Sequence, residues 1–265
     1  MKKKLCRITA LLLAAVLSLG GCGQPGAGKK RTDSTQQTEE TKNKKEDQSK
    51  SDKKGPEIDG LTYESTMDLT YATEFDVYDY KDGYKLLDVH EDRQYLVVPE
   101  GKEAPEGLSE DIVVLQQPLD HIYMAATAIM SLLDAVDAID QVKFSGLNAS
   151  GWYVEDAKKA MESGDMIYAG KYSEPDYETL VNGECDLAVE STMILHTPKV
   201  QEMIEDLDIP VFVDYSSYES HPLGRTEWIK LYGAMLNKED AADSFFEKQA
   251  QVIEKLKGFE NLSLI

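Results

Sequence analysis

The 265-residue chain carries 49 acidic against 28 basic residues, for a formal net charge of −21. Nucleic acid is thereby a poor partner, because affinity for a phosphate backbone rests on basic surface. The acidity tilts toward cationic or metal-bearing ligands, although a solvated acidic face accounts for most of these carboxylates.

Lys2, Lys3, Lys4 and Arg7 precede an apolar run from Ile8 to Leu19, and Gly20 and Gly21 lead into Cys22. A basic start, a short apolar run and small residues at a cleavage point make a secretory signal. The run is about a dozen residues, whereas a spanning helix needs roughly 20. Leu-Gly-Gly-Cys at 19–22 resembles the lipobox of bacterial lipoproteins, in which the signal, here 1–21, is removed and the cysteine is acylated. That resemblance implies lipid attachment at Cys22 and an extracytoplasmic, membrane-anchored chain, since stable anchoring takes two acyl signals. The alternative is a soluble secreted protein with a chance cysteine at the cleavage point. Loss of the four signal cations takes the net charge from −21 to −25. Cys6 leaves with the signal and Cys22 carries lipid, so Cys185 is alone in the body and reads as a small buried hydrophobe.

Residues 22–57 are Lys, Glu, Asp, Ser, Thr and Gln with scarcely an apolar side chain. Such a segment cannot bury enough surface to offset ordering entropy, and it reads as a disordered tether. From 61 to 98 the chain is strand-rich: "FDVYDY" and "YKLLDV" flank the turn "KDGY", and "QYLVVP" follows. Beyond 111, strand and helix alternate. "DIVVL" leads to a helix over 121–137, "QVKFSG" to 153–162, "GDMIYAG" to 175–182, "CDLAV" to 198–206, and "IPVFVDY" to 226–236. That alternation predicts an α/β lobe of Rossmann-like form, a parallel sheet flanked by helices, behind a small β-rich N-terminal section. A last helix over 238–257, about 30 Å long at 1.5 Å per residue, closes the pattern.

Ligands of open parallel sheets lie outside the carboxyl ends of the strands. The alternation places four polar loops there: 116–121, 145–153, 190–196 and 216–225. They supply Gln117, Trp152, Tyr153, Glu190, Ser191, Tyr218, Glu219, His221 and Arg225 as candidate ligand-binding residues. His121, His196 and His221, three of the four histidines, are candidate metal ligands, since directly bound iron needs oxygen or imidazole donors converging on one point. Each histidine taken singly also reads as an ordinary loop or capping residue. A larger complex would instead need aromatic walls and a forked cation, which Trp152, Tyr153, Tyr215, Tyr218 and Arg225 could provide. Trp152 reads equally well as a core anchor at a helix start.

The strand and helix order from 111, the segment "PDYETLVNGECDLAVES" and "HPLGRTEW" before a long helix resemble the substrate-binding lipoproteins of ABC importers. They are most similar to the helical-backbone class that captures iron-siderophores, haem and cobalamin. The likeness covers 111–257 well and 61–110 loosely. It implies an N-terminal ligand-binding lobe over 58–237, an interlobe backbone helix over 238–257, and the start of a second lobe at 258–265 whose remainder is missing. It also implies capture of an iron-bearing ligand without a cofactor of the protein's own, and delivery to an ABC permease served by an ATPase. The chain would act as a monomer, with Glu178 as a surface carboxylate docking on permease arginines and Glu174 as its competitor.

Enzyme chemistry finds little footing. The chain has no Gly-x-Ser-x-Gly elbow, no complete Gly-x-x-x-x-Gly-Lys-Ser/Thr phosphate-cradling loop, no Cys-x-x-Cys and no metalloprotease pattern. An exported hydrolase and a surface adhesion module stand as the alternatives from other classes.

Overall fold

The structure, a computed structural model, describes residues 54–90 and 92–260. The signal, Cys22, the tether as far as residue 53 and the final residues 261–265 lie outside the described residues. Packed chain begins at the margin of the expected tether: Gly55 and Ile58 are buried, and the Tyr80 hydroxyl donates to the Pro56 carbonyl at 2.6 Å. No helix among the described residues is long and apolar enough to cross a membrane.

The N-terminal section is a five-stranded sheet in spatial order β1 (Tyr63–Thr66), β2 (Phe75–Tyr80), β3 (Lys85–Val89), β4 (Gln94–Val98) and β5 (Ile112–Gln116). The first four pair antiparallel, and β5 joins β4 in parallel. The expected turn between β2 and β3 forms with positive φ at Asp82 and Gly83, a conformation glycine takes freely and Asp tolerates. Both faces of this sheet are covered. Phe75, Val77, Leu87, Tyr95 and Val97 join the main core, while Tyr78, Tyr80, Leu86, Leu96 and Val98 close on Ile58 in a smaller one.

The second sheet is wholly parallel. It consists of β6 (Ile122–Met124), β7 (Val142–Ser145), β8 (Ile167–Tyr168), β11 (Leu187–Ser191) and β12 (Val211–Asp214), in spatial order β12-β11-β6-β7-β8. Helices α1 (Met130–Ala135), α2 (Glu155–Ser163), α3 (Tyr177–Asn182) and α4 (Pro198–Glu205) lie in the connections, and the short hairpin β9 (Gly170–Lys171) and β10 (Glu174–Pro175) precedes α3. Strand residues such as Leu187, Ala188, Val189, Val211, Phe212 and Val213 are buried without alternation, as expected of a parallel sheet covered on both faces. The α/β lobe with a β-rich start and a long C-terminal helix is therefore the observed fold.

Two sequence expectations fail together here. The helix predicted over 121–137 is instead a strand, β6, a loop, and only the six residues of α1. "IYMAATAIM" is apolar enough to suit either state, and periodicity cannot separate a buried strand from a buried helix. Backbone pairing separates them: the Ala125 and Ala126 amides both donate to the Val189 carbonyl, extending the sheet. Because β6 occupies that place, β5 belongs to the first sheet, and the turn 116–121 enters the parallel sheet at its amino edge.

Helix α5 (Pro222–Leu236) starts four residues before its expected first turn, with Pro222 at its N-terminal position and His221 as N-cap. It is buried on nearly every side by Leu223, Trp228, Ile229, Leu231, Tyr232, Met235 and Leu236. Asn237, at a left-handed φ of 56°, stops it, and α6 (Glu239–Glu260) follows. A Cβ on Gly233 would stand 2.7 Å from the Ala242 Cβ, so glycine sets how closely the two helices approach.

Two buried glutamates join the sections. Glu227, fully buried in α5, accepts from the Thr70, Tyr71 and Ala72 amides at 2.7–3.1 Å and lies 3.6 Å from the Lys230 ammonium. Glu219 accepts from the Thr73 and Glu74 amides at 3.0 Å, the Thr73 hydroxyl at 3.1 Å and the Trp228 indole at 3.0 Å. Five successive amides of the β1–β2 connection thus end on two carboxylates. Burying either charge is costly, and these donors offset the cost. The Glu227→Ala change strands three amides, each worth roughly 1–3 kcal/mol when left unpaired, so unfolding free energy should fall by about 3 kcal/mol or more in urea titration.

Candidate functional site

The carboxyl edge of the parallel sheet releases the loops 125–129 after β6, 146–153 after β7, 192–197 after β11 and 215–221 after β12. Their bases are held rigidly. A Cβ on Gly146 would lie 2.9 Å from the Ala125 Cα, and its amide donates to the Met124 carbonyl at 2.8 Å, so two loops meet at a glycine. The Ser145 hydroxyl donates to the Leu147 carbonyl at 2.6 Å and accepts from the Trp152 indole at 2.8 Å. Asp214 accepts from the Ser216 amide and hydroxyl and from the Tyr232 hydroxyl at 2.6–3.2 Å; burial raises its pKa.

These loops expose aromatic and apolar side chains. Tyr153 is 95% exposed and Tyr218 57%, with Met193 and Leu195 also open to solvent and Tyr168 at the end of β8 half-open. The only carboxylate in the four loops is Glu219, which is 1% exposed and fully engaged. In a chain of net charge −21 this edge offers solvent aromatic rings, apolar side chains, hydroxyls and amides.

The residues singled out from sequence divide into three groups. Tyr153, Ser191, His196, Tyr218, His221 and Arg225 lie on the carboxyl-edge loops or immediately beyond them. Ser191 accepts from the Met193 amide at 3.4 Å, and His196 is exposed at the end of the turn that follows. The His221 Nδ1 accepts from the Leu223 amide at 3.1 Å and its ring stacks on Tyr71 at 4.7 Å, so this histidine caps a helix. Arg225 donates to the Ser217 carbonyl at 3.0 Å and the Glu219 carbonyl at 3.3 Å, closing its own loop while remaining at the surface. The crowding of Glu219, His221 and Arg225 into seven residues is in large part the architecture of a helix start.

A second group lies inside. Trp152 is buried beneath its loop, as the core-anchor reading has it; Glu219 is the clasp described above. Glu190 is 0% exposed, and neither carboxylate oxygen has a hydrogen-bond partner. It shares a sheet face with Tyr123, since Ala188 pairs with Tyr123 and alternate residues point the same way. Desolvation pushes its pKa up to about 9, so at neutral pH it is an uncharged acid. Tyr215 is buried against Tyr218, their rings edge-to-face at 5.3 Å.

The third group is on the wrong edge. The Gln117 amide is buried and donates to the Met235 carbonyl at 3.0 Å, where it ties the first sheet's exit to the end of α5. His121 precedes β6 and meets Asp186, which precedes β11. Strands of a parallel sheet enter at one edge and leave at the other, so His121 cannot converge with His196 and His221, and the three-histidine metal set is not assembled. Glu178 is exposed in the first turn of α3, and Glu174 pairs with Lys171 at 3.4 Å. Cys185 is buried and its thiol is pushed up to about 12 by desolvation, which leaves it unreactive. Sequence reasoning missed the loop 125–129 and the exposure of Tyr168, Met193 and Leu195; "STMILH", apolar residues directly after a strand end, was the available signal.

No known family model matches the chain. It is 28% identical to an uncharacterized lipoprotein of Methanocaldococcus jannaschii over 155 residues, which is 55% of this chain and 36% of that protein. A second uncharacterized lipoprotein of the same organism is 24% identical over 269 residues, 98% of this chain and 64% of the relative. The chain thus spans between about a third and two thirds of the curated relatives it matches. Among solved structures, the periplasmic haem-binding protein HutB of Vibrio cholerae is 20% identical, with a TM-score of 0.42 over 52% of this chain and 49% of its own. A possible iron-binding periplasmic solute-binding protein of Staphylococcus epidermidis is 16% identical, with a TM-score of 0.41 over 51% and 49%.

The buried acid has a consequence for stability. Glu190 binds its proton more tightly folded than unfolded, so folding takes up a proton between the ordinary carboxyl value of 4.5 and about 9. Stability therefore falls as pH rises through that window. Glu190→Gln, neutral at every pH, should flatten the decline of the urea midpoint between pH 5 and 9 and exceed the parent's midpoint at pH 8.

Proposed function

We propose that this chain is the extracytoplasmic, lipid-anchored binding component of an ABC importer, which captures an iron complex, haem or cobalamin and hands it to a permease. It performs no covalent chemistry; ATP would be hydrolysed on other chains. Three things support the reading: a secretory signal that runs into Leu-Gly-Gly-Cys, sequence similarity to two proteins named as lipoproteins, and a parallel sheet with loops at its carboxyl edge.

The observation that carries it is the character of that edge. Exposed Tyr153, Tyr218, Met193 and Leu195 stand on four loops that hold no exposed carboxylate, in a strongly acidic chain. A bare ferric ion wants converging oxygen or imidazole donors, and among the described residues the edge brings no three His, Cys, Asp or Glu donor atoms together. A ligand with flat, apolar faces gains from aromatic and thioether surface, and hydroxyls and amides around it fix orientation. The bound species is accordingly a metal already wrapped in organic ligands, neutral or anionic, with the Arg225 charge at the border. Such a species is still metal-bearing, which is one of the two ligand types toward which the net charge tilts.

Ferric siderophores, haem and cobalamin should each be tried against the full-length protein by thermal shift and intrinsic fluorescence, since a ligand raises the melting temperature with occupancy. At least one should shift it and quench fluorescence, while free ferric iron should not; silence from all three complexes defeats the assignment. Replacing Tyr153 and Tyr218 together by Ala should weaken capture by about tenfold, given some 0.5–1.5 kcal/mol per aromatic contact. For delivery, Glu178→Ala should lower transport and leave ligand affinity unchanged; undiminished transport would remove Glu178 from the docking surface.

A further inference from the structure

His121 misses the carboxyl edge, yet it is not idle. At the amino edge of the parallel sheet, Asp120, His121 and Asp186 each present one donor atom, and the three atoms lie within 4.8 Å of one another. The residues come from the entries to two neighbouring strands, β6 and β11, so their juxtaposition is fixed by sheet pairing. One oxygen of Asp186 accepts from the Asp120 and His121 amides at 2.8 and 2.9 Å, which holds the carboxylate rigidly against the turn. Its other oxygen is buried with no hydrogen-bond partner. A buried carboxylate oxygen without a donor is a costly arrangement that calls for an occupant.

We propose that Asp120, His121 and Asp186 form a binding site for a first-row divalent metal ion, separate from the ligand edge and serving to staple β6 to β11. The donor set, two carboxylates and one imidazole, suits a borderline-hard ion such as Mn(II), Fe(II) or Zn(II), with water completing the shell. The His121 Nδ1 and the Asp120 Oδ1 are hydrogen-bonded at 2.8 Å, a contact that a bound ion would replace, with the imidazole ligating through an unprotonated nitrogen. The carboxylate and imidazole remain open to solvent, leaving an entry path, with exposures of 53% for Asp120 and 41% for His121. The site lies in this lobe alone and does not depend on what the carboxyl-edge loops bind.

The test uses the full chain stripped of metal and titrated with Mn(II), bound ion being read by loss of the free six-line electron paramagnetic resonance signal. One equivalent should bind and raise the melting temperature. Asp120→Asn and His121→Gln should each weaken that binding by about tenfold or more, as loss of a ligand or its support does, with circular dichroism unchanged. Tyr153→Ala, which alters only the ligand edge, should bind Mn(II) like the parent, so failure of the proposed transport function and failure of this site are separately visible. The proposal is overturned if the parent takes up no stoichiometric Mn(II), Fe(II) or Zn(II), or if both variants bind as tightly as the parent, which would mark the uptake as adventitious.

Discussion

The structure depends on the capture of one loop by two buried carboxylates. The connection between β1 and β2 has no regular structure over residues 70–74, and five of its successive amides would be stranded if it were simply laid against the core. Glu219 and Glu227 meet those amides, and the amides in turn make two buried charges tolerable. The start of α5, close to the carboxyl edge, is registered by this exchange. Gly224 lies within 3.0 Å of the Glu219 Oε2 for a notional Cβ, Tyr71 stacks on the capping His221, and the Trp228 indole shares Glu219 with the loop. The start of α5, and with it the last loop of the carboxyl edge, is fixed by an interaction made with a segment some 150 residues away.

A second constraint joins the sheets. Tyr95 of β4 is fully buried, and its hydroxyl lies 2.8 Å from the Asp92 carboxylate and 3.2 Å from the Val211 carbonyl of β12. Its ring packs on Phe212, and Phe212 on Tyr232 of α5, whose own hydroxyl reaches Asp214. A continuous aromatic path thus runs from the first sheet through the edge of the parallel one to α5. Tyr153 and Tyr218 stand exposed on loops whose bases are pinned by Ser145 and Asp214.

Several functional readings of polar residues dissolve into architecture for the same reason. Clusters of Glu, His and Arg after a strand end are what a helix start uses when it must be buried: a cap, a clasp and a cation that closes the loop on its carbonyls. The chemistry that remains for the edge comes from its uncharged residues. Acidity, the most conspicuous property of the composition, describes the solvent-facing remainder and says little about the edge. Glu190, a neutral acid under the sheet, shows the converse, since a carboxylate in an acidic chain need be neither exposed nor ionised.

Much of the fold was legible along the chain. Hydrophobic runs located β2, β3, β4, β7, β11 and β12, the turn residues at 81–84 marked a hairpin, and α2 to α6 fell close to their predicted spans, because each of these is decided by local periodicity and punctuation. The expectation of a secretory signal ending at Leu-Gly-Gly-Cys rests likewise on a local pattern, outside the described residues. What only the tertiary structure decided was which edge a loop occupies and which face a side chain takes. "IYMAATAIM" is apolar under either reading, and only pairing with Val189 makes it strand and not helix; that one assignment moved Gln117 and His121 to the far edge of the sheet. The burial of Trp152, Glu190 and Glu219 beside the exposure of Tyr153, Met193 and Tyr218 was equally out of reach. Neighbours in sequence part company there because long-range packing, not residue type, sets what each one touches.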